Sequence, residues 1–487
     1  MTNNKNIDIF ALTDSHQEAR KLCCLFSSII KTSKNEGENT LICDGGDIFK
    51  GIYDRELSVN SYLKVREKLP YAKIVVGLGN NDFGFNIEQF EYLKKTISRL
   101  SRANINILCA NLRELKTNKI PEWISPYTIL EINNCKVLIT SFCISEKNLQ
   151  KQGLYLTNVS QTFFEMLDTI KHINPDFFIV LNHDLYPCSK NIVKIANENN
   201  IKIDLLVGGH EHTPLEHDKI NKIYYPRAFG RNMLRFIAQT TPIKKINFKE
   251  EIVSKFAKIL PCFEKDLIEY ENKSGLYTPI AKSILHLEKD YSNPCSLGSF
   301  ITDKMKKIAN TDIAVLSTGY LIHALRYEKN KMLTLYNLER AYSAPTILQV
   351  VELTTSELKT IFENSILRRH ITTSNAQFLQ CSQNISIIYR KKENELCEVI
   401  QIYINQQPLL DNKTEPIHND KIITCAMDQF IASGELGYDL LKYKSKETLM
   451  KNNQLVIIRD IFFDAIKKAE KEYSEGYCYP TYKLSEI

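Results

Sequence analysis

Five short stretches carry side chains that bind hard and borderline metal ions: Asp14-Ser15-His16, Gly46-Asp47, Gly79-Asn80-Asn81-Asp82, Asn182-His183-Asp184 and Gly208-Gly209-His210-Glu211-His212. Carboxylates, an amide oxygen and imidazoles together suit Mn, Zn or Fe. One carboxylate shared between two such ions sets them about 3.5–4 Å apart, the spacing of a two-metal phosphoryl-transfer site. Taken singly, each stretch has a plainer reading, because a lone loop histidine is more often a satisfied polar group than a ligand. Their number and order are what point to a metal centre.

Each stretch follows an apolar run of the length and composition of a strand. Strands are expected over 8–12, 40–43, 73–76, 105–110, 136–141, 177–181 and 203–207, with helices over 18–31, 58–68, 87–100 and 159–172 between them. This alternation predicts an α/β layered domain with helices on both faces of the sheet. Gly208 and Gly209 let the chain turn sharply and leave both following imidazoles at a strand's carboxyl end, where α/β sheets keep their chemistry.

At 487 residues the chain exceeds the size at which one hydrophobic core keeps growing, so two domains are expected. The layered domain is placed at 1–240 and a second α+β domain at 291–487. The charged stretch 241–290 reads as a linker of helical character, or equally as an extra helix packed on the first domain. A hydrophobic content of 43% and a charged content of 25% describe a soluble globular protein. The net charge of +6 is dispersed, with no basic run to indicate a nucleic-acid or membrane partner. No apolar stretch approaches the about 20 residues of a membrane span, and the short polar start has no secretory pattern. Thirteen cysteines, an odd number without Cys-x-x-Cys pairs, lie largely in apolar runs (Cys43, Cys109, Cys143) and read as reduced thiols of a cytoplasmic protein.

In order and type the five clusters resemble those of the calcineurin-like metallophosphoesterases. Over its whole length the chain is similar to the two-domain bacterial 5'-nucleotidase/2',3'-cyclic phosphodiesterase family, whose pattern is Asp-x-His, Gly-Asp, Gly-Asn-His-Asp/Glu, a lone His and Gly-His-x-His. The resemblance implies a metallophosphoesterase domain followed by a 5'-nucleotidase C-terminal-like domain. It also implies two divalent metal ions, one held by Asp14, His16, Asp47 and His212 and the other by Asp47, Asn80, His183 and His210. The reaction so implied is hydrolysis of a phosphate ester of a nucleotide or nucleotide-like small molecule, in nucleotide catabolism, by a hydroxide bridging the metals and without a protein nucleophile.

The chain also departs from that pattern. Asn81 stands where the family has its catalytic His, and Gly84 stands where the acidic partner of that His is expected. An amide cannot carry the proton a leaving oxygen needs. Gly-Asn-Asn-Asp nevertheless resembles the motif of small one-domain phosphodiesterases that do without the histidine. In the second domain, Ser296-Leu297-Gly298-Ser299 and Asp312-Ile313-Ala314-Val315 match family motifs. The family's base-stacking aromatics fall on Phe378 and Phe430, for which core packing is the equal alternative. Ile322 replaces a phosphate-binding arginine and Leu436 a ribose-binding aspartate, with Arg326, Arg368 and Arg369 as candidate substitutes. Two readings follow: a binuclear phosphoesterase, or a catalytically impaired nucleotide-binding protein that keeps the fold.

Overall fold

The computed structural model describes the chain except residues 1–5, 17, 50–53, 85–86, 146–148, 213–215, 240–244, 253–257, 372–377, 393–395 and 418–420. It divides into two compact units, 1–270 and 271–487.

The first unit is built on two large sheets, with Leu112–Glu114 and Leu154–Leu156 pairing as a small third one. In one large sheet, Asn6–Leu12, Thr40–Asp44, Lys73–Gly77 and Ile105–Leu108 run parallel in that order. Asn232–Gln239 returns antiparallel beside Asn6–Leu12, and Lys245–Ile252 forms the edge. The other sheet has the order Ile223–Tyr224, Leu205–Gly208, Phe177–His183, Cys135–Cys143, Tyr127–Ile132.

Side chains alternate across each strand, and that alternation builds the layers. Ile7, Ile9 and Ala11 from the first sheet join Ile179, Leu181 and Val207 from the second in one buried cluster. The intervening residues Phe178 and Val180 face the other way, onto Phe163, Ile192 and Ala196 of the helices Val159–Glu165 and Tyr186–Glu198. Phe177–His183 is therefore buried on both faces, which accounts for its unbroken apolar run. The expected α/β layers with flanking helices are present, built on two sheets packed face to face rather than on a single one. A strand and helix alternation looks the same in either case, since a helix follows a strand whether one sheet or two must be covered.

One expected element changes. The helix expected over 159–172 breaks at Met166 into Val159–Glu165 and Leu167–Ile173. The segment 241–290, read as a linker or equally as an extra helix packed on the first domain, contributes the edge strand Lys245–Ile252, in register with Asn232–Gln239 through Phe248 and Phe236. It continues into the helix Pro261–Ser274, whose Phe263 ring lies 6.4 Å from that of Phe26 and whose Asp266 pairs with Lys64 at 2.6 Å. Residues 241–244 and 253–257 lie outside the described residues.

The second unit has a mixed sheet in the order Leu379–Cys381, Ile313–Ser317, Ile422–Asp428, Leu348–Thr354, Glu447–Thr448. A four-stranded sheet includes Cys397–Ile404 and Ile385–Lys391. Helices Ser296–Ala309 and Ile458–Glu472 share one core with Leu316 and Ala426, and helix Thr355–Ile371 shares another with Ile387 and Val399. All thirteen cysteines are free thiols. Among the described residues no helix is long and apolar enough to cross a membrane.

Ile179 is fully buried between the two sheets, whereas Ile129 on the strand Tyr127–Ile132 is 46% exposed. Ile179→Ala should lower unfolding stability by about 2–5 kcal/mol through lost transfer energy and a residual cavity. Ile129→Ala should change it by less than about 1 kcal/mol, both read from urea midpoints.

Candidate metal centre

The site is assembled from the carboxyl ends of five strands. Asp14 and His16 follow Asn6–Leu12, Asp47 follows Thr40–Asp44, and Asn80 to Asp82 follow Lys73–Gly77. His183 ends Phe177–His183, and His210 and His212 follow Leu205–Gly208. Four of these residues, Asp14, His16, Asp47 and His210, have positive φ (50°, 46°, 57° and 72°), a region few side chains adopt. Such strain persists only where the surroundings over-determine it, and it gathers at functional sites. The glycines have steric reasons as well. A Cβ at Gly209 would lie 2.7 Å from His183 Nδ1, and one at Gly79 would overlap Asp47 Oδ1.

The donor atoms converge. Ligand atoms of Asp14, His16, Asp47 and His212 all lie within 4.8 Å of one another. His16 Nε2 is 2.8 Å from His212 Nε2, 3.6 Å from Asp14 Oδ1 and 3.7 Å from Asp47 Oδ2. His183 Nε2 lies 3.4 Å from the same Asp47 Oδ2 and 3.8 Å from Asp14 Oδ1. One oxygen of Asp47 thus faces both histidines. His210 Nδ1 is 3.2 Å from Asn80 Oδ1. His183 Nδ1 lies 2.8 Å from the Gly45 carbonyl, which can only accept, so Nδ1 donates and Nε2 points into the site. That buried Nε2 makes no hydrogen bond among the described residues. A donor set of two carboxylates, an amide oxygen and four imidazoles, with a buried nitrogen lacking a hydrogen bond, fits divalent cations.

The scaffold beneath these ligands is carboxylate as well. Asp82 accepts from the backbone N–H groups of Asp47, Ile48, Phe49 and Gly79, each at 2.9 Å, and so pins the loop that carries Asp47. Asp44 accepts from Tyr62 Oη and from Gly46 N. Asn81 donates to Asp47 twice, from its backbone N–H at 2.8 Å and from Nδ2 at 2.6 Å. Gly84 has φ +71°, and a Cβ there would meet Gln89 at 2.5 Å, so the backbone at this position disfavours the acidic residue expected there.

Charge sorts these groups into two kinds. Burial opposes ionisation of Asp14, but His183 and hydrogen bonds from His16 and His212 outweigh it and hold the carboxyl well below its ordinary value. Asp47 is likewise held low against burial by His183 and His16. Burial pushes Asp44 up to about 7 and, with the Asp47 charge, Asp82 to about 6. Burial would lower His183, yet Asp47 and Asp14 raise it to about 10. Burial takes His210 down to about 4, with the charge of His183 adding to the effect, and also lowers His212.

The second unit departs from the expected pair of stacking rings. Phe378 is 1% exposed and belongs to the core around Phe362 and Ile387, so its ring is not open to a base. Phe430 is half-buried, with its ring 6.4 Å from that of Tyr320 at a tilt of 37°. Arg326 is engaged by Glu288 at 2.7 and 3.1 Å. Arg368 donates to the Gly437 carbonyl at 3.3 Å and lies over Tyr438. The side chains of Arg369 and Leu436 lie outside the described residues. Sequence reasoning missed Phe229, whose ring lies 5.1 Å from those of both His16 and His212. Nothing in its Ala-Phe-Gly surroundings signals a site.

In metal-free protein the His183 imidazolium, held protonated to about pH 10 against an ordinary 6.5, contributes stability that is complete below pH 6.5 and lost as pH rises through 10. Asp14 and Asp47, held below the ordinary 3.8, contribute stability above that value which is lost on acidification. Urea denaturation of chelator-treated protein should show stability falling from pH 6.5 to 10, and His183→Gln should flatten that fall.

The calcineurin-like phosphoesterase family model matches residues 7–214, and the 5'-nucleotidase C-terminal domain model matches residues 278–443. A 5'-nucleotidase from Bos taurus is 23% identical over 458 residues, covering 83% of this chain and 76% of its own. Among solved structures, a 5'-nucleotidase precursor from Thermus thermophilus superposes with a TM-score of 0.74 at 16% identity, over 99% of both chains. A sulfate thiohydrolase, also from Thermus thermophilus, superposes with a TM-score of 0.69 at 14% identity, over 96% of this chain and 82% of its own. Both family models match in sequence order and the shared architecture spans both units, so the chain belongs to the two-domain family that joins a calcineurin-like phosphoesterase to a 5'-nucleotidase C-terminal domain.

Proposed function

We propose that this chain is a binuclear, metal-dependent phosphoesterase acting on a nucleotide or nucleotide-like phosphate ester. The observation that carries the reading is the convergence of Asp14, His16, Asp47 and His212 within 4.8 Å, with His183 Nε2 3.4 Å from the Asp47 oxygen that His16 also approaches. Asp14, His16, Asp47 and His212 would hold one cation. Asp47, Asn80, His183 and His210 would hold the other. Two divalent cations there supply Lewis acidity toward phosphoryl oxygens and water acidified enough to act near neutral pH.

The protein's part is to keep the carboxylates of Asp14 and Asp47 ionised and all the donors aimed. Asp82 and Asn81 together fix both the loop and the carboxylate of Asp47. The Nδ1–H of His183, committed to Gly45, prevents the ring from turning its wrong nitrogen inward. The amide of Asn81 cannot protonate a leaving oxygen, and general acid assistance contributes about 10²–10⁴-fold. Esters with good leaving groups should therefore turn over well and alkyl monoesters slowly. In the second unit Phe430, opposite Tyr320, offers the aromatic surface for a base that Phe378 does not. The same architecture in a sulfate thiohydrolase means that fold alone does not select the ester. The nucleotide assignment leans instead on the C-terminal family match and the 5'-nucleotidase relative.

Chelator-treated protein reloaded with Mn, Zn or Fe should bind two ions per chain and hydrolyse bis(p-nitrophenyl) phosphate. Asp47→Asn should reduce that rate on the order of 10³-fold or more. A reloaded chain that binds no metal and is inert would reject the proposal, whereas tight metal and nucleotide binding without turnover would identify an impaired binding protein. Asn81→His should speed hydrolysis of an alkyl phosphate monoester by part of the about 10²–10⁴-fold that a general acid contributes. The nitrophenyl diester should show no such gain, because that leaving group needs no proton.

A further inference from the structure

We infer that Phe229 is a positioning residue for one of the two proposed cations, setting the ring planes of His16 and His212; the inference rests on the metal-centre reading above. The three rings form one cluster. Phe229 lies 5.1 Å from His16 at a 31° tilt and 5.1 Å from His212 at 66°, while the two imidazoles meet edge to face at 4.7 Å. An imidazole ligand is useful only if its lone pair points at the cation, and packing against a third ring fixes that direction. His183 and His210 form an edge pair of their own at 5.5 Å.

The backbone shows that this placement is held against local preference. Phe229 has φ +64°, a conformation in which an aromatic residue is an outlier. Its N–H donates to the carbonyl of Asp14 at 2.7 Å, and its own carbonyl accepts from Lys21 Nζ at 3.2 Å. Gly230 follows at φ +60°, where a Cβ would press on Lys21. The ring-bearing residue is thus tied at one end to a proposed ligand residue and at the other to the helix Ala19–Thr32. Glycine would adopt this backbone with less strain but would bring no ring.

That contrast separates positioning from mere packing. Wild type, Phe229→Gly, Phe229→Leu and Phe229→Tyr are stripped, then titrated with Mn or Zn by equilibrium dialysis, and the thermal midpoint of each metal-free protein is measured. Phe229→Gly should keep or raise the metal-free midpoint, since it relieves the left-handed strain, yet bind one of its two ions about 10–100-fold more weakly. Phe229→Leu should share that weakening, and Phe229→Tyr should behave as wild type. Two ions bound at wild-type affinity by Phe229→Gly or Phe229→Leu would overturn the inference. So would a fall in the metal-free midpoint of Phe229→Gly large enough to account for its metal loss. Wild type that binds no metal would instead overturn the reading on which the inference rests.

Discussion

Four aspartates, at 14, 44, 47 and 82, are at most 1% exposed and share the floor of one site. Taking a carboxylate out of water costs several kcal/mol unless charge and hydrogen bonds replace the lost hydration. The first unit meets that requirement by dividing the four. Asp44 and Asp82 are pushed up to about 7 and 6 and serve as acceptors for backbone N–H groups and for Tyr62. Asp14 and Asp47 are kept ionised beside four imidazoles. The histidines, not the scaffold pair, are what hold Asp14 and Asp47 in their charged form.

The two packed sheets make such crowding possible. Loops alone could not hold four carboxyls this close, but the parallel strands Asn6–Leu12, Thr40–Asp44 and Lys73–Gly77 deliver three of the loops from one sheet edge. Phe177–His183 and Leu205–Gly208, also parallel, deliver the histidines from the second sheet. The apolar layer between the sheets fixes the offset between the two sets, which is why residues such as Ile179 and Val207 matter to a site they do not touch. His183 is the last residue of its strand, with Leu181 two positions earlier in the core, so the same alternation of side chains sends Leu181 into the layer and His183 onto the ligands.

How much of this could be read from the sequence depended on range. Each candidate ligand sits next to a strand end in a local cluster of Asp, Asn, His and Gly, so the residues of the candidate centre could be picked out one loop at a time. The Gly79 and Gly209 positions follow from the same logic, because a side chain there would strike a ligand. The layering of sheets and flanking helices was legible as well, but not which strands belong to which sheet, because a strand that packs on one sheet or on two carries the same apolar alternation. The edge strand Lys245–Ile252 was hidden by Lys249, Glu250 and Glu251, charges that suit an edge but read as a linker. Phe378 shows the limit for side-chain direction. An aromatic next to a short strand packs inward or opens to a ligand according to neighbours that lie far along the chain.

Strain ties these points together. Asp14, His16, Asp47 and His210 all take left-handed backbone conformations, each costing of order 1–3 kcal/mol relative to a relaxed loop. Hydrogen bonds that cross between loops maintain them: Asp14 N to Gly46 O, His16 N to Asp47 O, and His210 N to the Asp14 carboxylate. Every strained residue is therefore held by another strained or buried residue of the same site, and none can relax alone. Such mutual restraint explains why Asp14, His16, Asp47 and His212, from three separate loops, arrive with donor atoms already within 4.8 Å of one another. It also means that the stabilisation for the centre comes from the sheets beneath it, since the loops by themselves favour a different arrangement.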